Sequence, residues 1–129
     1  MAYVGKVKRW ELYWADLEPH VGTEQAGERR PVLVVSTDEA NATFGTVTTV
    51  PLTKLEGKGR SPKFFEVILP SGIIPNSHTP LALPHQIRTL SKTRLLERIG
   101  SLDHPRARDR VERGILDHLG IEIEDAEGM

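Results

Sequence analysis

Apolar residues in this chain occur in short runs, each closed within a few residues by Gly, Pro, Asn or Asp. That punctuation leaves little room for long helices and directs the chain to a mainly β fold of short strands and turns. Residues 10–17 read as a first strand, with Trp10, Leu12 and Trp14 on one face. Residues 31–36 are an unbroken apolar run closed by Ser36, the pattern of a strand covered on both faces. Residues 46–52 are rich in Thr and Val and 64–69 alternate, so both read as strands. Shorter candidates lie at 81–83, 86–90 and 95–102; in the second, alternation puts Gln86, Arg88 and Leu90 on one face. Asp38 stands where it would cap one helical turn.

One segment departs from this pattern. Ala107, Val111, Ile115 and Leu119 recur at four-residue intervals and form one helical stripe. Asp103 and Pro105 mark its start and Gly120 its stop. Arg106, Arg108, Arg110 and Arg113 fall off the stripe and read as a solvated face. A chain of 129 residues, 38% hydrophobic and 27% charged, is one globular domain with one core. Residues 1–9 read as an N-terminal extension and 121–129 as an acidic tail. With roughly five to seven short strands and a closing helix, the economical architecture is a small, strongly bent antiparallel barrel, because closure removes exposed edges.

Seventeen basic and 18 acidic residues give a formal net charge of −1, which argues against a generally basic nucleic-acid coat. Four of the acidic residues (Glu122, Glu124, Asp125 and Glu127) fall in the tail, so the body carries 17 basic against 14 acidic residues and has charge enough for a focused basic cleft. Cysteine is absent, which excludes disulfides, thiolate metal sites and cysteine nucleophiles. No apolar stretch approaches the roughly 20 residues of a membrane helix, and the basic N-terminus has no apolar segment behind it. The expectation is a cytoplasmic protein with no membrane association.

Three polar groups lie at the ends of apolar strands, where a scaffold presents functional residues. The first runs from His20 to Arg30 and holds Thr23, Glu24, Gln25, Arg29 and Arg30; the second is Thr53-Lys54; the third is His85 to Thr89, with Gln86 and Arg88. Guanidinium groups offer forked donors to phosphate, and amides and carboxylates read base edges, so the set suits an anionic, hydrogen-bonding ligand. His20, His78, His85, His104 and His118 show no metal-ligand spacing, and neither a phosphate-binding Gly-rich loop nor a Gly-x-Ser-x-Gly elbow is present.

Taken in order, these blocks resemble the MazF/PemK family of endoribonuclease toxins. The resemblance is carried by Leu12-Tyr13-Trp14-Ala15-Asp16-Leu17, Pro19, Gly22-Thr23-Glu24-Gln25-Ala26-Gly27, Arg30-Pro31-Val32-Leu33-Val34-Val35-Ser36, Val50-Pro51-Leu52-Thr53, Phe65-Glu66-Val67 and Gln86-Ile87-Arg88-Thr89-Leu90. Lys92, Leu95, Gly100 and the last helix extend it. It implies an SH3-like barrel working as a homodimer. It also implies cleavage of single-stranded RNA without a metal or other cofactor, translational arrest, and a cognate antitoxin whose C-terminal segment covers the RNA groove. Arg30 and Thr53 would be the catalytic pair, with Thr23, Glu24 and Gln25 in substrate binding and active-site support and Gln86 to Arg88 along the groove. His20, Arg29, Lys54 and His85 complete the expected RNA contacts.

Three departures stand out. Arginine is doubled at positions 29 and 30, and adjacency to Pro31 favours Arg30 for the phosphate. Thr79 and Pro80 occupy positions where such proteins often carry an acidic residue and a Ser, and His85 stands where an acidic residue often precedes the Gln. Metal-free cleavage uses the ribose 2′-hydroxyl as nucleophile and needs in-line geometry, charge stabilisation and proton transfer. Arg30 suits charge stabilisation, a threonine hydroxyl can donate to a phosphoryl oxygen, and Glu24 or His20 is the candidate proton carrier, with Glu24 alternatively orienting Arg30. The competing expectation is a non-catalytic toxin that binds a protein such as DNA gyrase through the same barrel.

Overall fold

The computed structural model describes residues 2–3, 5–75 and 79–124. Among these residues, seven strands and two α-helices follow one another as β1 (Glu11–Ala15), β2 (Arg30–Val34), α1 (Asp38–Thr43), β3 (Thr46–Lys54), β4 (Val67–Ile68), β5 (Pro80–Ala82), β6 (Arg88–Ser91), β7 (Leu95–Ser101) and α2 (Pro105–Leu119). The sheet is antiparallel in the order β4-β5-β3-β2-β1-β7, and β6 also pairs with β3.

β3 is the hub. One edge pairs with β2; along the other, Thr46 to Thr49 pair with β6 and Leu52 to Lys54 pair with β5. The change of partner falls at Val50-Pro51. A 3-10 turn at Pro84–Gln86 there separates β5 from β6, and the Leu83 N–H donates to the Pro51 carbonyl at 3.0 Å. Proline at the head of this turn is why 86–90 is not one strand: it supplies the turn's φ, so Gln86 leaves the face of Arg88 and Leu90. Among the described residues the end strands β4 and β7 do not pair, so the sheet is not closed as a barrel. Instead α2 packs against β4 and the Pro84–Gln86 turn, covering that edge with a helix.

The unbroken run of β2 faces two cores. Leu33 and Val35 pack with Trp10, Leu12, Val50, Leu52, Leu102, Ala107 and Val111 beneath α2, while Val32 and Val34 pack with Tyr13, Ala15, Leu17, Val47, Leu90 and Leu95 on the other side. Trp10 precedes β1 with φ 71°, and the Arg9 and Arg108 guanidinium carbons lie 4.6 and 5.6 Å from its ring centroid. The segment ahead of β1 is docked: Val7 joins the second core, and the Tyr3 N–H donates to the Leu95 carbonyl at 2.7 Å.

Several expected boundaries move for local reasons. Of 64–69 only Val67–Ile68 is strand, because the Glu66 N–H turns back to the Lys63 carbonyl and its carboxylate is taken up by Arg60. Thr37 rather than Asp38 caps α1, accepting from the Ala40 N–H, while Asp38 accepts from the Arg9 N–H. His104 rather than Asp103 caps α2 through Nδ1, and Gly120 ends it at φ 70°, a conformation natural to glycine. Ala107 and Val111 are buried as expected, but Leu119 is exposed because the stripe outruns the sheet.

Candidate active site

The residues at the open end of the β2–β3 pair define a cavity. Their register runs from Val34↔Thr49 to Val32↔Pro51. Pro31 has no N–H to continue the ladder, so the strands are free to part at this end. Arg30 and Thr53 lie just past the last paired residues of the two strands, and both line one cavity of about 340 Å³. Trp14, Arg29, Pro31, Leu52, Lys54, Ile74, Pro75 and Pro80 complete it. Among the described residues its charged lining is therefore Arg29, Arg30 and Lys54, with no carboxylate.

Arg30 is partly buried, and its Nε is enclosed with no hydrogen-bond partner among the described residues. A buried unpaired donor is costly, and this one belongs to a group that suits an incoming oxyanion. Its stem lies on Gly27, whose φ is 128°; a Cβ there would stand 2.6 Å from both Arg30 Cγ and Cδ. Arg29 lines the same cavity but is already engaged. Its guanidinium lies 4.9 Å from the Trp14 ring centroid and pairs with Glu97 at 3.1 Å, an exposed contact of small worth. The doubled arginine is thus resolved into two roles, with Arg30 held at the cavity wall and Arg29 stacked at its mouth.

The loop before β2 is tied at its neck. The Leu17 N–H donates to the Gly27 carbonyl at 2.8 Å, and Arg94 Nη1 donates to the Asp16 and Glu18 carbonyls at 3.0 and 2.7 Å. The Glu18 carboxylate meets His20 Nδ1 at 3.0 Å and accepts from the Gly27 N–H at 2.6 Å. Those two hydrogen bonds, His20 first, hold the Glu18 carboxyl below its ordinary range. Glu18 is a residue that sequence reasoning passed over; its spacing of two from His20 was the available signal.

Glu24 stands outside the cavity lining at the loop tip, where its carboxylate accepts from the Val21 N–H at 2.6 Å. Thr23 is exposed, and its carbonyl accepts from Gln86 Nε2 at 3.4 Å, while Gln86 Oε1 accepts from the Gln25 N–H at 2.6 Å. Arg88 pairs with Thr49 on β3, away from the Thr53 end. His85 turns toward α2: its ring centroid is 5.1 Å from that of Phe65 and 6.2 Å from that of His118, and its Nδ1 is enclosed without a partner among the described residues. Burial pushes the His85 imidazole pKa down. The structure thus brings Arg29, Arg30, Thr53 and Lys54 together, sets Thr23, Glu24 and Gln25 on an adjoining loop with His20 at its base, and places His85 under the helix. Trp14, Ile74, Pro75 and Pro80 are the walls that the sequence did not reveal, because three of them come from turn-rich chain with no periodicity.

Fold and cavity together define a small antiparallel β protein with a cationic, hydroxyl-bearing pocket at a strand end, chemistry that suits an anionic group. Comparison with known proteins specifies it further. Residues 8–119 match the family model described as PemK-like, MazF-like toxin of type II toxin-antitoxin system. Endoribonuclease EndoA of Bacillus subtilis is 36% identical over 116 residues, covering 89% of this chain and 96% of that protein. Endoribonuclease MazF2 of Mycobacterium bovis is 34% identical over 110 residues, covering 84% and 93%. The crystal structure of MazF from Deinococcus radiodurans superposes with a TM-score of 0.74 at 26% identity, covering 92% of this chain and all of that one. The chain belongs to the PemK-like, MazF-like toxin family of type II toxin-antitoxin systems.

Proposed function

We propose that this protein is an endoribonuclease toxin that cuts single-stranded RNA through the ribose 2′-hydroxyl. The carrying observation is the Arg30–Thr53 pair, drawn from neighbouring strands onto one cavity whose charged lining is entirely cationic. Family membership and curated endoribonuclease relatives support the same reading.

The 2′-oxygen attacks the adjacent phosphorus as the bond to the 5′-oxygen breaks, leaving a 2′,3′-cyclic phosphate and a 5′-hydroxyl. Extra negative charge accumulates on the phosphoryl oxygens. The Arg30 guanidinium, preset by Gly27 and left with an unpaired donor, meets that charge without reorganising. The Thr53 hydroxyl donates to a second oxygen. Trp14, Ile74, Pro75 and Pro80 wall off water and give a base or ribose an apolar surface. Glu24 is the carboxylate assigned to the 2′-hydroxyl proton, RNA seated over the loop is what would bring the two together, and the departing 5′-oxygen takes its proton from bulk water. Thr23, Gln25, Arg29 and Lys54 supply further contacts, with His20 and Arg88 at the margins. In this reading the protein works without a metal, as a cytoplasmic homodimer that arrests translation. Its cognate antitoxin lays a C-terminal segment along the groove.

Incubation of the pure protein with a long RNA in EDTA, followed by mapping of ends and assay for 5′-hydroxyls, tests the reaction. Arg30→Ala and Thr53→Ala should each lower the rate on the order of 10²- to 10³-fold, as loss of an oxyanion donor does. Full activity in Arg30→Ala would move the role to Arg29. A pH–rate profile unchanged in Glu24→Gln would remove Glu24 as proton carrier, and absence of any cleavage would leave a protein-binding toxin as the reading.

A further inference from the structure

Gln86 has the residue type of a base reader, yet both ends of its amide are already engaged. Oε1 accepts from the Gln25 N–H at 2.6 Å and Nε2 donates to the Thr23 carbonyl at 3.4 Å. These bonds straddle Glu24 and cross from the end of the Pro84–Gln86 turn to a loop more than 60 residues earlier in the chain. Around Glu24 itself, the other side-chain bond is the local one to the Val21 N–H.

The clamp is also braced from behind. Pro84 heads the turn that carries Gln86, and α2 approaches it so closely that a Cβ on Gly114 would stand 2.9 Å from Pro84 Cγ and 2.5 Å from the Phe65 carbonyl oxygen. His85, between the two, is wedged against Phe65 and His118. The turn is packed against α2 and the loop is bonded to the turn.

From this geometry we infer that Gln86 is a positioning residue: it fixes the backbone of Thr23 to Gln25, and so the placement of Glu24 on its loop, and does not read a base. A primary amide is matched to the task because it offers one acceptor and one donor to a loop presenting one N–H and one carbonyl. The bond from the Gln25 N–H is part-buried, so it is partly shielded from water and worth more than one at an open surface, whereas the longer bond to the Thr23 carbonyl is exposed.

The kinetic arm of the test rests on the nuclease reading; the exchange arm does not. In the RNA-free protein, Gln86→Ala should speed hydrogen exchange at the Gln25 amide by on the order of tenfold, the loss of about one net hydrogen bond. Gln86→Glu keeps the acceptor for Gln25 and loses only the donor to Thr23, so it should restore most of that protection. On a panel of RNA sequences, Gln86→Ala should lower kcat/KM by one common factor, and Gln86→Glu should recover part of it. Unchanged exchange at Gln25 would overturn the inference, and so would a loss of rate confined to particular bases. Loss of protection in a protein that cuts no RNA at all would uphold the clamp and count against the nuclease reading instead.

Discussion

Gly27 shows how one absent side chain sets a charge. Its φ of 128° is open to glycine, and the space a Cβ would take is filled by the Arg30 stem. Gly27→Ala should therefore displace the guanidinium and strain the backbone, giving a rate at least tenfold lower together with a lower melting temperature; kinetics alongside calorimetry checks this. Glu66 is a residue with the opposite business, stability rather than catalysis. Its carboxylate is buried and accepts from Arg60 Nη1 at 2.8 Å, Arg60 Nη2 at 3.0 Å and the Lys63 N–H at 2.7 Å. The Arg60 hydrogen bonds hold its pKa down at about 2, against 4.5 for a free glutamate. A depressed folded-state value means the stabilisation is whole above the ordinary value and is lost as pH falls toward the depressed one. Urea unfolding of Glu66→Gln against the parent should show a gap of at most about 3 kcal/mol at pH 7, shrinking through pH 4 and 3.

At the scale of elements, α2 owes its seat to one glycine inside it. Gly114 lets the helix touch the Phe65 carbonyl and Pro84, and a backbone carbonyl does not yield as a flexible side chain would. Alanine at that position gains roughly 1 kcal/mol of helix propensity and meets overpacking of about 1–3 kcal/mol. The expected outcome for Gly114→Ala is a lower thermal midpoint, an inversion of the usual glycine-to-alanine result in a helix. The β2 run was legible from sequence because burial on both faces removes polar alternation, and the α2 stripe because it repeats over three turns. The strand expected at 86–90 was misread for a reason equally local: Pro84 starts a turn, and a run of five residues holds too few repeats to contradict an alternating template. At 64–69, capture of Glu66 by Arg60 six residues earlier, a contact that no alternating pattern encodes, cut the strand to two residues.

For the molecule as a whole, net charge says little and its placement says much. The chain is −1 overall, yet the cavity wall carries Arg29, Arg30 and Lys54 without a carboxylate. If three phosphates are neutralised there, log affinity for single-stranded RNA should fall against log salt with a slope of about −2, and Lys54→Ala should flatten it by about 0.7; binding isotherms across a salt series measure both. The ordered blocks of sequence identified the family, and the polar clusters at strand ends gave Arg30, Thr53 and Lys54 as candidates, because those residues lie within a few positions of strong strand signals. Only tertiary structure decided that Arg29 is paired with Glu97 while Arg30 Nε has no partner among the described residues, that His85 turns under the helix, that Gln86 is spent on a loop, and that, among the described residues, β4 and β7 stay unpaired with α2 against β4. Each of these depends on contacts between positions far apart in the chain, where neither periodicity nor spacing carries information, whereas the strands and the helix are written in neighbours a few residues apart.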